Sequence, residues 1–154
     1  MLNINYIISI FVLIGMLTIY NNIQNDDEKK CQFKKYKQYL IEYTSTEKVD
    51  LNKPILWIHV SHEKNARWWQ SFYSRNTEYL NQPYIFLTIK SIIKQNYKDF
   101  NICLIDDDSF NYIIPGWNHN ISSMANPVKC YMRKLALSKM LSIYGGLLVP
   151  KTFV

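Results

Sequence analysis

A chain of 154 residues, 48% hydrophobic and 19% charged, suits one globular domain with a short appendage and excludes disorder for its bulk. Its formal charge of +6 suits an anionic partner: nucleic acid, anionic lipid or a phosphorylated small molecule. No zinc-finger spacing, RNP motif or helix-turn-helix signature is present, so a nucleic-acid partner is not expected. The cysteines Cys31, Cys103 and Cys130 are odd in number, far apart and without metal-site spacing. They read as free, buried thiols.

Residues 6–20, YIISIFVLIGMLTIY, carry no charge. Together with their neighbours they span about the ~30 Å of a bilayer's hydrocarbon core at ~1.5 Å per residue. A cleaved signal peptide needs a basic start and small residues before the cut. MLNINY and LTIYNN provide neither, so residues 1–21 are expected to be an uncleaved transmembrane signal-anchor. Residues 22–52 are polar and lysine-rich and read as a stem or linker, partly helical. The lysines from Lys29 to Lys37 would hold this flank in the cytosol by the positive-inside rule. Asn120-Ile121-Ser122 is an N-glycosylation triplet, which suits the lumen instead.

From Lys53-Pro54 the pattern becomes α/β. Residues 55–60, ILWIHV, form a continuous apolar run that predicts a buried strand. Residues 61–79 read as a long loop or a broken helix bearing Trp68 and Trp69. Asn81-Gln82-Pro83 is a helix start, and Ile85, Ile89, Ile92 and Ile93 follow largely at helical spacing. Residues 100–105, FNICLI, predict a second strand, ending in Asp106-Asp107-Asp108. The result is β–α–β, the unit of a parallel sheet. Pro127 opens another helix, on which Tyr131, Met132, Leu135, Ala136, Met140 and Ile143 make a wide apolar face. Gly145-Gly146 stops it. Residues 147–149 begin a third strand, whose edge is open to a partner chain.

These pieces resemble the sugar-binding region of GT-A-type glycosyltransferases, in particular the capsular-polysaccharide-synthesis group with its DxD motif. The residues that carry the resemblance are KPILWIH on a first strand, DDD closing a second, and a basic helix ending in Tyr144-Gly145-Gly146 before a short apolar strand. It covers residues 53–154. Stretches such as LNQPYIFLTIKSII and CLIDDDSF also resemble membrane-anchored proteins of large DNA viruses. The likeness implies a partial GT-A (Rossmann-like) domain, hexosyltransferase chemistry, a nucleotide-diphosphate sugar and a secretory-pathway or viral membrane.

In an open parallel sheet, ligands sit outside the carboxyl ends of the strands. That places Trp57, His59, Val60, Ser61, Asp106, Asp107 and Asp108 at the expected nucleotide-sugar site, with Trp57, Trp68 or Trp69 stacking on a base and carboxylates meeting the ribose or base. Gly145 and Gly146 join them by resemblance. The same residues also suit plainer roles: a strand end that caps the next turn for the aspartates, a helix stop for the glycines.

The family's Asp-x-Asp pair would bind Mg²⁺ or Mn²⁺ beside the diphosphate. Here Pro150 and Thr152 stand at those positions, and no Asp or Glu follows Asp108. Lys134 and Leu137 fall near the positions of the family's Asp and Arg in the preceding helix. No metal ligand is therefore expected. Cations, with Arg133, Lys139 and Lys151 as candidates, would meet the diphosphate instead. The other reading is a binding or scaffold protein that keeps the fold without the chemistry. A receiver-type phosphorylation module is excluded, because no later Asp can accept the phosphoryl group.

Overall fold

The computed structural model describes residues 4–41, 49–61 and 82–152. The expected loop with Trp68 and Trp69, together with His62 and the capping Asn81, lies outside the described residues. The chain divides into two compact units, Met1–Lys35 and Tyr36–Val154.

The first unit belongs to α1 (Ile4–Tyr36), 33 residues long. Its apolar half is exposed all round, Phe11 at 70% and Met16 at 65% among others. A core helix would instead bury one stripe. By length and composition α1 can cross a membrane. The helix does not stop at the predicted span end near residue 21. No Gly or Pro interrupts residues 22–36, and the Gln, Glu and Lys there are good helix formers.

The second unit holds β1 (Ile55–His59), α2 (Gln82–Asn96), β2 (Asn101–Ile105), a short α3 (Phe110–Ile113), α4 (Val128–Tyr144) and β3 (Leu147–Val149). The strands form one parallel sheet in the order β2-β1-β3, with Ile55 opposite Asn101 and Leu56 opposite Leu147. The fold is thus mixed α/β with the predicted parallel β–α–β, and β1 lies at its centre.

Alternation along β1 sends its side chains to opposite faces. Leu56 and Ile58 pack with Ile92, Ile102 and Val149, and Ile89 and Ile93 of α2 cover that cluster. Trp57 faces the other way. Its ring meets Tyr36 edge-on at 5.8 Å and Tyr144 at 6.0 Å. Tyr36, Trp57, Ala136 and Met140 are all buried.

The unit also takes in residues 36–41, which read as stem in the sequence. Leu40 bridges to Cys103 in antiparallel fashion, and the Ile41 N–H donates to the Ile102 carbonyl at 2.9 Å. This segment therefore lies along the outer edge of β2. On α4 the apolar face is narrower than expected: Ala136 and Met140 are buried, while Tyr131 and Leu135 are exposed at 66% and 53%. Only Cys103 is a buried thiol, its pKa pushed up to about 12 by burial; Cys31 and Cys130 are exposed.

Candidate functional site

The order β2-β1-β3 means that the chain leaves β1 toward one side of the sheet and returns on the other. The crevice between the carboxyl ends of β1 and β3 is the topological switch point, where open α/β sheets place their ligands. A cavity of about 370 Å³ lies there, lined by His59, Ser61, Leu137, Leu148, Val149, Pro150, Lys151 and Thr152. Lys151 Nζ donates to Ser61 Oγ at 3.2 Å across this crevice. No Asp or Glu is among the described lining residues.

His59 links the cavity to a charged cluster beneath it. Its Nε2 lies 2.9 Å from Asp107 Oδ1. Arg133 grips the same carboxylate with two donors, Nε to Oδ1 at 2.8 Å and an amino group (Nη2) to Oδ2 at 2.7 Å. The side chains of His59, Asp107 and Arg133 are only 11%, 13% and 17% exposed. Burial by itself raises the Asp107 pKa. The hydrogen bonds and charges of Arg133 and His59 outweigh it and hold the carboxyl well below its usual range. The imidazole lies flat against the buried ring of Phe110, centroids 5.6 Å apart and planes 7° apart. Asp107 comes from the end of β2, His59 from β1 and Arg133 from α4, so three elements must dock before the cluster exists.

The other expected site residues separate into distinct roles. Asp106 turns the chain: its carboxylate accepts from the Ser109 N–H at 2.9 Å, and its own N–H donates to Ser109 Oγ at 3.1 Å. Asp108 is exposed, and none of the three aspartates lines the cavity.

Trp57 is wholly buried and presents no face for a base to stack on. Its Nε1–H donates to the Gly145 carbonyl at 3.0 Å. That correction follows from strand alternation, because the residue that fits the buried layer under α4 cannot also reach solvent. Gly145 ends α4 with φ 67°. At Gly146 a Cβ would come within 2.3 Å of the Ile55 carbonyl oxygen, a close approach that requires glycine. Both glycines therefore lock α4 to β1.

Arg133 is committed to Asp107 rather than presented as a loose cation on a solvated face, and Lys139 is exposed and off the cavity. Lys151 is the one expected cation that lines the cavity. Asn120 is exposed, and its side chain caps a turn by accepting from the Ser122 N–H at 3.1 Å.

Sequence reasoning placed Ser61 at the ligand end of the first strand, where it lines the cavity, and missed Phe110 and Ser109. The last had a signal, since Asp-x-x-Ser after a strand is a capping pattern; Phe110 had none, because its value depends on where α3 docks. Among the described residues, no three His, Cys, Asp or Glu side chains cluster as a metal site would need. No protein-family model matches the chain, and neither the curated proteins nor the solved structures contain a significant match.

Proposed function

We propose that this is a membrane-anchored protein whose α/β unit binds a nucleotide-diphosphate sugar in the manner of a divergent GT-A-type glycosyltransferase. The observation that carries the reading is the cavity at the switch point, which presents the Lys151 ammonium and has no carboxylate among its described lining residues. An anion there meets the positive charge of Lys151 and, among the described lining residues, no like charge. The diphosphate lies against Lys151, and Ser61 supplies a hydroxyl beside it. Pro150 and Thr152 do not fit a divalent-metal role, and the Lys151 ammonium supplies positive charge beside the diphosphate instead. Helix α1 holds the protein at a single-pass membrane position.

A scaffold role is the second reading. It is favoured by the Asp107–Arg133 pair, whose two donors and two acceptors already satisfy each other.

The test is thermal unfolding of the full chain in detergent with UDP-glucose, UDP-galactose, UDP-N-acetylglucosamine and GDP-mannose. A ligand at a hundred times its Kd stabilises by about 2.7 kcal/mol. Binding by one of these, lost in Lys151→Ala, supports the donor-site reading. Absence of any shift from a folded sample moves the assignment to the scaffold.

A further inference from the structure

Among its described lining residues the cavity holds one imidazole, that of His59, and the contact with Asp107 sets which of its nitrogens carries the hydrogen. Asp107 is ionised and has no proton to give, so His59 Nε2 carries the hydrogen of their 2.9 Å contact. Nδ1 is then the nitrogen with the lone pair, and it has no hydrogen-bond partner among the described residues. An imidazole that donates one N–H to a carboxylate is a stronger base at its other nitrogen. Phe110 stacks on the ring and holds its plane. Arg133, with two bonds to Asp107, holds the carboxylate. Lys151, as a cation, and Ser61, as a weakly acidic alcohol, do not supply a base, and no carboxylate is among the described lining residues.

We infer that His59 is the general base of this cavity, acting through Nδ1 on an acceptor hydroxyl, with Asp107 and Arg133 as its positioning residues. The inference rests on the nucleotide-sugar reading above. In the step it implies, an alcohol or water gives its proton to Nδ1 as its oxygen bonds to the anomeric carbon. The bond from that carbon to the diphosphate breaks, and its electron pair leaves with the diphosphate beside Lys151. The imidazolium is stabilised by Asp107 and returns its proton to solvent.

The experiment uses the full chain in detergent. UDP and GDP binding is measured by calorimetry, and release of nucleotide diphosphate is followed from the four nucleotide sugars named above. His59→Gln leaves the Arg133–Asp107 pair whole and is expected to fold. It should lower release at least 100-fold, the low end of general-base effects, while nucleotide affinity stays within twofold. Asp107→Asn should lower kcat and leave KM unchanged, because an amide no longer fixes the tautomer; if it fails to fold, His59→Gln carries the test. Nucleotide binding with no release, or with release indifferent to His59→Gln, overturns the general base and leaves the binding reading standing. Absence of nucleotide binding overturns both.

Discussion

Asp107 is where single-residue chemistry matters most. Its folded pKa is depressed, because the gains from Arg133 and His59 exceed the cost of burial. A depressed carboxyl contributes stability above its unfolded value of ~3.9, and loses that contribution as pH falls below it toward the folded value. We expect Asp107→Asn to destabilise the protein by about 2–4 kcal/mol at pH 7, since it leaves a mostly buried guanidinium without its carboxylate. Urea unfolding followed by circular dichroism at pH 7 and at pH 3 checks this. The gap between wild type and variant should narrow at pH 3; an equal gap at both would mean the ion pair is not its source. The contrast with Asp106 is instructive. Its carboxylate serves Ser109 three residues on, a local bond readable from spacing. The partners of Asp107 lie 48 residues before it and 26 after it, beyond the reach of any local pattern.

At the scale of elements, the junction of α4 and β3 decides how the sheet is completed. The Tyr144-Gly145-Gly146 stretch reads as a helix stop, and it is one. The chain needs more from it than a stop. Gly145 has φ 67° and Gly146 φ 92°, and only the second sits against backbone. Gly145→Ala meets nothing within 4 Å and should cost about 1–2 kcal/mol of backbone strain. Gly146→Ala adds a collision at 2.3 Å with the Ile55 carbonyl, a backbone atom that cannot swing away. It should cost more than about 3 kcal/mol, because β3 must move off β1. Denaturant midpoints of the two variants provide the comparison. Equal losses would show that the approach of β3 to β1 relaxes freely.

At the scale of the molecule, the two units obey different physics. The second buries an apolar core on two faces of a sheet; the first displays its apolar residues on every side of a helix. The twelve large apolar side chains that α1 exposes between Tyr6 and Ile23 are unfavourable in water by roughly 25 cal/mol per Å² of surface, and a bilayer removes that penalty. We expect the full chain to stay in the membrane pellet through alkaline carbonate extraction, and a chain lacking residues 1–21 to move to the supernatant. A truncated chain that remains in the pellet would locate the membrane affinity elsewhere.

Periodicity and composition by themselves determined the apolar N-terminal helix, the parallel β–α–β unit, the helix that ends at Tyr144 and the short strand after it. These are local properties: an uninterrupted apolar run, a run bounded by Pro and polar residues, a glycine pair at a helix end. They also placed His59 and the aspartates at strand ends. Tertiary structure alone decided the order β2-β1-β3 and the docking of residues 36–41 on β2. It also decided the burial of Trp57 and the pairing of Asp107 with both His59 and Arg133. Each of those depends on which faces meet when separate elements pack, and facing partners far apart in the chain leave no periodic trace in it.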